Sequence, residues 1–289
     1  MRNLSPLRYP GGKVRLTPFF AQLLTIQEPV PTRYAEPFAG GAGAALRLLD
    51  EGYVSHIHIN DIHPGIAAFW RSVTTQPEEF IARINSTAVT IEEWHAQHEV
   101  FENGSSNDDL SLGFATFFLN RTNRSGILTA RPIGGLEQTG KWLIDARYNK
   151  QGLIGRIERI AQLAGRITVT ELDALDFLDN IEHYEDDIFV YADPPYVVQG
   201  NKLYLHAFNA DDHRALADKL LNALYPWILT YDDERIIWED LYGAERCARF
   251  NIAHTAQNNH VGSETIIYGP TITVPGTQEI TPGRRANWI

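Results

Sequence analysis

The residues of this chain that most directly imply chemistry are Asp193-Pro194-Pro195-Tyr196, which follow the apolar run Ile188-Phe189-Val190-Tyr191-Ala192. Each proline fixes its own φ and pushes the residue before it out of the helical region, so the turn is stiff. The Asp193 carboxylate and the Pro194 carbonyl then form a rigid pair of acceptors beside a flat ring. Such a pair suits the exocyclic amine of adenine or cytosine, a poor nucleophile because its lone pair is delocalised into the ring. Two acceptors could take both N–H bonds and aim that lone pair at an electrophilic methyl group. Tyr196 could stack on the base, which would first leave the duplex. The plainer reading is a strand that ends in a proline-rich turn with an incidental Asp, since four-residue matches arise by chance.

Three further segments carry candidate residues. Arg8-Tyr9-Pro10-Gly11-Gly12-Lys13 combines a glycine turn with a cation just after it, or is simply a Pro-Gly turn with a surface lysine. Glu36-Pro37-Phe38-Ala39-Gly40-Gly41-Ala42-Gly43 lies between a strand and a helix, where glycines let a ligand approach the backbone. Its spacing is not G-x-G-x-x-G and no G-K-[ST] follows, so neither a dinucleotide fingerprint nor a phosphate loop is present. Asp61 ends the alternating run Ser55 to Asn60 about 20 residues past the glycines, where an acid can accept bonds from ribose hydroxyls. It could equally cap a helix or turn before Pro64. Asp173 follows the strand-like Ile167 to Thr170, where an acid could accept a bond from the adenine amine of a cofactor or equally cap the short helix that follows.

The elements that must position these residues alternate. Strand patterns at Tyr34, Ser55–Asn60, Ile167–Thr170, Ile188–Ala192 and Trp227–Tyr231 are interleaved with helical ones. A closing pair follows at Arg246–Ile252 and Glu264–Tyr268, with a polar loop over Gln257–Ser263. This is an α/β doubly wound, Rossmann-like sheet, whose ligands bind at the carboxyl ends of the strands. Between Pro64 and Gly165 the texture changes to helices, a polar tract (Glu102–Asp109), the segment Asn120-Arg121-Thr122-Asn123-Arg124-Ser125-Gly126 and a glycine-rich stretch to Gly140. Arg and Asn are suited to base edges and Ser, Thr and Lys to phosphates; the alternative is a solvated loop.

The 44% hydrophobic and 21% charged fractions are those of an ordinary globular protein, with no membrane-length apolar run and no signal-peptide core at the start. One cysteine, Cys247, excludes an internal disulfide and fits a reducing cytoplasm. His56, His58 and His63 read as surface residues, and no metal site is expected. The net charge of −11 is unusual for a nucleic-acid binder, yet residues 115 to 170 hold nine basic side chains against three acidic ones, about +6.

In this order, RYPGGK, EPFAGGAG, Asp61, Asp173 and DPPY resemble the Dam-like family of S-adenosylmethionine-dependent DNA adenine methyltransferases, over residues 5 to 268. The resemblance implies a cofactor site at Tyr9, Lys13, Phe38, Gly40, Gly43, Asp61, Asp173 and Asp193, with Asp176 a possible shift of register from Asp173. It implies a catalytic motif at Asp193, Pro194, Pro195 and Tyr196. Asn120 to Gly126 resemble a family segment that is structural or DNA-contacting, and Asn120, Arg121, Asn123, Arg124, Arg131 and Lys141 are its candidate nucleic-acid contacts. The implied organisation is a catalytic domain at 1–63 and 166–289 with a mainly helical target-recognition domain inserted at 64–165. The implied partner is double-stranded DNA, with a cognate restriction endonuclease as a separate companion, for a monomer in the cytoplasm of a bacterium or encoded by a phage. Competing readings are transfer to cytosine N4 or RNA, and a catalytically silent DNA-binding relative. Cytosine C5 chemistry needs a thiolate that Cys247 is badly placed to supply.

Overall fold

The computed structural model describes residues 4–9, 13–103, 108–196, 208–254, 260–276, 279–281 and 283–289. The Pro10–Gly12 turn, residues 104–107 of the polar tract and 255–259 of the late loop lie outside the described residues. β4 (Ile188–Ala192) is buried along its whole length, as its β-branched and aromatic composition requires of a strand covered on both faces. Parallel neighbours flank it: β1 (Arg33–Glu36) and β2 (His56–Asn60), then β3 (Ile167–Thr170), on one side, and β5 (Trp227–Asp232) on the other. β7 (His260–Tyr268) pairs antiparallel with β5 and with β6 (Cys247–His254). A short β8–β9 pair (Glu279–Thr281, Arg284–Arg285) stands apart, and β10 (Asn287–Trp288) closes on β6. The main order is β10-β6-β7-β5-β4-β1-β2-β3, so the chain reverses direction of winding between β1 and β4. That is the switch point where a doubly wound sheet opens a ligand crevice.

Two expectations are corrected here. β7 begins at His260, so its first four residues are strand where the sequence suggested a loop to Ser263; pairing with β6 across to His254 overrides the local polarity. His58 is buried at 6% exposure against His56 and Tyr184, and His63 caps the next helix, so these histidines are not simply on the surface. No cluster of three metal-ligating side chains occurs among the described residues.

After a 3-10 turn at Val14–Leu16, α1 (Thr17–Thr25) and α2 (Gly43–Asp50) cover the sheet. Between β2 and β3 come α3 (Pro64–Thr75), α4 (Pro77–Ser86), α5 (Ile91–Asn103), α6 (Asp109–Thr122) and α7 (Lys150–Leu163). α3 and α6 cross closely because Gly113 lies against the backbone of Ala68 and Phe69, where a Cβ would clash. Phe69, Phe80, Phe114 and Phe117 form a fully buried edge-and-stack cluster there, each ring worth roughly 1.5–3 kcal/mol over exposure. These helices share one continuous core with α1, α2 and β2. α8 (Ala174–Ile181) and α9 (Ala210–Leu221) cover the opposite side, packing with β4 and β5 in a second core. No helix among the described residues is long and apolar enough to cross a membrane.

Candidate active site

The glycine turn after β1 is shaped by close approach. Gly40 takes φ +44°, and a Cβ there would meet the Tyr9 ring at 2.6 Å, so the aromatic of the first motif lies directly on the turn. Ala42 is also left-handed, at φ 45°, and turns the chain into α2. Two side chains lock this strained segment: Trp70 Nε1 donates to the Gly40 carbonyl at 2.9 Å, and Asp61 Oδ2 accepts the Gly40 N–H at 2.9 Å. Asp61 Oδ1 takes the His63 N–H at 3.0 Å, leaving the N-cap of α3 to His63 itself. Asp61 thus buttresses the glycine turn from its place at the end of β2. Asp173 caps α8, accepting from Leu175 N–H at 2.8 Å, while its other face looks into the same cavity.

That cavity holds about 240 Å³. Tyr9, Phe38 and Phe208 supply aromatic wall; Phe38 and Phe208 meet edge to face at 5.4 Å. Among the described lining residues four carboxyl groups (Glu36, Asp61, Asp173, Asp193) stand against one lysine, Lys13. Glu36 at the end of β1 is 5% exposed and accepts from Tyr34 Oη at 3.0 Å and the Ala45 N–H at 3.1 Å. Burial pushes its carboxyl up to about 8, against the pull of those two donors. Gly43 lies against Val14 at the start of α2.

Lys13 is engaged at the centre of a charged cluster. Its ammonium donates to both oxygens of Asp193 at 3.0 Å and to Tyr196 Oη at 3.1 Å, and lies 3.5 Å from Glu264 Oε2. Burial alone would lower its pKa, but Asp193 and Glu264 outweigh that and hold it well above its ordinary value. Tyr196 Oη donates to Glu264 Oε1 at 2.6 Å, and Thr230 Oγ1 donates to Asp193 Oδ1 at 2.8 Å while meeting Tyr191 Oη at 2.7 Å. The Lys13 and Glu264 side chains are 2% and 1% exposed, whereas that of Asp193 is 24% exposed. The ion pair is therefore built inside and offers one carboxylate to the opening. A carboxylate has about four acceptor positions. Lys13 and Thr230 fill both on Oδ1 and Lys13 one on Oδ2, so among the described residues one position on Oδ2 stays open.

The expected nucleic-acid contacts divide. Asn120 and Asn123 are buried at 1% and 0%, and their amides serve the backbone. Asn120 grips Arg8 through both its N–H (2.7 Å) and its carbonyl (2.8 Å) and also holds the Gly126 carbonyl at 2.9 Å. Asn123 takes Trp94 Nε1 at 2.6 Å and donates to the carbonyls of Ile127 and Leu128. Arg121 donates to the carbonyls of Arg147 and Pro6. Burial, with Arg8, Arg156 and Arg147 nearby, pushes its guanidinium down to about 9. Arg124, Arg131 and Lys141 remain exposed. Arg124 lines a shallow cleft with Arg8, Arg147 and Trp142, the last 66% exposed.

The sequence does not single out Glu36, Thr230 or Glu264 as functional residues. A signal for Glu264 exists: with period two it shares a face with Ile266 and Tyr268, so an acid points where the strand buries its apolar side chains.

A mostly parallel sheet wound in this order, with a carboxyl-rich cavity at its switch point lined by Asp193 and Pro195 of Asp-Pro-Pro-Tyr, matches a Rossmann-like methyltransferase fold. The chain belongs to the D12 class N6 adenine-specific DNA methyltransferases, whose family matches residues 9–254. No curated protein matches it. Among solved structures, the rRNA methyltransferase aviRa from Streptomyces viridochromogenes is similar over 91% of this chain and 87% of its own, at 16% identity and a TM-score of 0.42.

Proposed function

We propose that this methyltransferase moves a methyl group from S-adenosylmethionine to the N6 amine of an adenine flipped out of duplex DNA, by direct in-line displacement. The observation that carries the reading is the open acceptor position on Asp193 Oδ2, held at the mouth of the cavity by Lys13 and Thr230. It would take one N–H of the amine and the Pro194 carbonyl the other, turning the nitrogen lone pair toward the cavity. Tyr196, tethered by its hydroxyl to Glu264 and Lys13, would present its ring to the base.

The cavity's donor set fits the methyl donor. A lining in which carboxyls outnumber cationic side chains favours a cationic ligand and disfavours a pyrophosphate, which supports a sulfonium nucleoside over a dinucleotide. Asp61 would accept from the ribose, Asp173 from the adenine amine, and Glu36 would meet positive charge. When bound, S-adenosylmethionine supplies an electrophilic methyl on sulfur, whose bond breaks with the electron pair leaving on sulfur. Tyr9 and Phe38 would sandwich its flat parts, and Lys13 would keep Asp193 aimed. Arg124, Arg131 and Lys141 would contact DNA phosphates or base edges, with residues 64–165 as the recognition part. A single chain contributes every residue of this arrangement, which supports a monomer as the working unit.

The test is transfer of labelled methyl to unmethylated genomic DNA at low salt, with Asp193→Ala alongside. Label in N6-methyladenine that falls at least about a hundredfold in the variant, with the methyl donor still bound, supports the reading. Label in methylcytosine or RNA alone overturns the substrate.

A further inference from the structure

Methylation leaves a ring amine one proton too rich. The nitrogen uses its lone pair to form the new C–N bond, and neutrality returns only when one N–H proton departs and its bonding pair stays on nitrogen. On the reading above, Asp193 Oδ2 lies nearest that proton. Behind Asp193 the contacts continue inward. Lys13 Nζ touches both Asp193 oxygens at 3.0 Å and lies 3.5 Å from Glu264 Oε2, while Tyr196 Oη ties Lys13 (3.1 Å) to Glu264 Oε1 (2.6 Å). The chain of contacts ends on a carboxylate that is 1% exposed.

We propose that Glu264 stores the proton released by methyl transfer, receiving it from Asp193 by way of Lys13 and Tyr196, an inference that rests on the methyltransferase reading of this site. Asp193 passes its proton to Lys13 Nζ as Lys13 passes one to Tyr196 Oη and Tyr196 passes its own to Glu264 Oε1, so Tyr196 also ends as it began. Asp193 ends as a carboxylate and Lys13 as an ammonium, as both began, and only Glu264 has changed. Charge is conserved in place as well. Before transfer one ammonium and two carboxylates sum to −1 beside a sulfonium of +1; afterwards, with Glu264 protonated, they sum to zero beside a neutral thioether. A buried site whose summed charge does not change during the turnover avoids the large cost of an uncompensated charge in low dielectric.

Burial pushes the Glu264 carboxyl above its ordinary range, more than Lys13 draws it down. The groups that face it are Lys13, Tyr191 on β4, Asp193 and Tyr196 beyond that strand, and Asp232 paired opposite on β5; its partner on β6, Phe250, is uncharged. Glu264 acts through Lys13 and Tyr196 and is a positioning residue.

Glu264→Gln keeps the shape and an acceptor for Tyr196 but cannot hold the proton. Infrared difference spectra of the protein alone, taken across pH, should show a carboxyl band titrating above the ordinary Glu range that E264Q lacks; identical spectra overturn the proposal. In a single turnover on unmethylated duplex DNA, with an indicator dye, the wild type should release its proton after methyl transfer. E264Q should transfer about a hundredfold more slowly and release the proton in step, and E264D should restore the lag. If E264Q does not fold, E264D decides: band and lag retained support the relay, and both lost at wild-type speed overturn it. A wild type that methylates no DNA overturns the functional reading and the relay together. A wild type that methylates while E264Q matches its rate and lag overturns the relay alone.

Discussion

Glu36 is a residue whose chemistry departs far from its type. Its carboxyl is held near 8 inside the protein by burial, far above the 4.5 of a free glutamate. Between those values the folded protein keeps a proton that the unfolded chain has lost, so raising the pH favours unfolding. The stability linked to Glu36 is full below about 4.5 and is lost progressively up to about 8. Glu36→Gln, uncharged throughout, should therefore gain on the wild type as pH rises across this window, by several degrees in Tm at the upper end. A difference in Tm that stays constant with pH would contradict this account. Filling the cavity with a cation should draw the Glu36 proton off, so binding of the methyl donor to the wild type should release protons at neutral pH, measurable by calorimetry in buffers of different ionisation heat.

At the scale of elements, Asn120 is a clasp. From the last turn of α6 it holds both backbone groups of Arg8 and the carbonyl of Gly126, whose φ of +79° brings it against the Arg8 carbonyl. Asn120→Ala strands buried backbone groups and frees the segment that lays Tyr9 on Gly40. We expect a loss of about 2–4 kcal/mol in urea unfolding and at least a tenfold weaker methyl-donor affinity. Unchanged affinity would show that Tyr9 is positioned without it.

The strands around the site are legible in the sequence, because Ile188 to Ala192 carry their burial in their composition and Ile167 to Thr170, buried only at Ile167, are still rich in β-branched residues. The glycine turn and the Asp-Pro-Pro-Tyr lip are legible for the same local reason. What escapes are residues whose role is made by distant partners. Asn120 and Asn123 have the side chains of base readers, but neighbours far along the chain turn them inward. Glu264 becomes a site residue only because β7 is inserted between β5 and β6. The opening of β7 at His260 is hidden likewise, since its polar residues are strand only by pairing.

For the whole molecule, the acidic body and the basic segment must be weighed together. With −11 overall and about +6 between residues 115 and 170, long-range attraction to DNA should come chiefly from that segment. Arg124, Arg131 and Lys141 are exposed there. Replacing any one by Ala should lower the slope of log affinity against log salt by about 1, and replacing all three by about 3. Titration of a DNA duplex from about 50 to 200 mM salt checks this, and a slope unmoved by the triple variant would place the contact elsewhere.

The bond between Lys13 and Glu264 also sets a clock. A ribosome adds roughly 5–20 residues per second, so the ammonium emerges on the order of tens of seconds before the second carboxylate that accompanies it inside. Until β7 is made, burying Lys13 would leave the cluster without one of its two anions, even though Asn120 and Arg121 already hold Arg8 and Pro6. A nascent chain halted before β7 should neither seat the methyl donor nor modify DNA, so activity waits for the strand that carries Glu264.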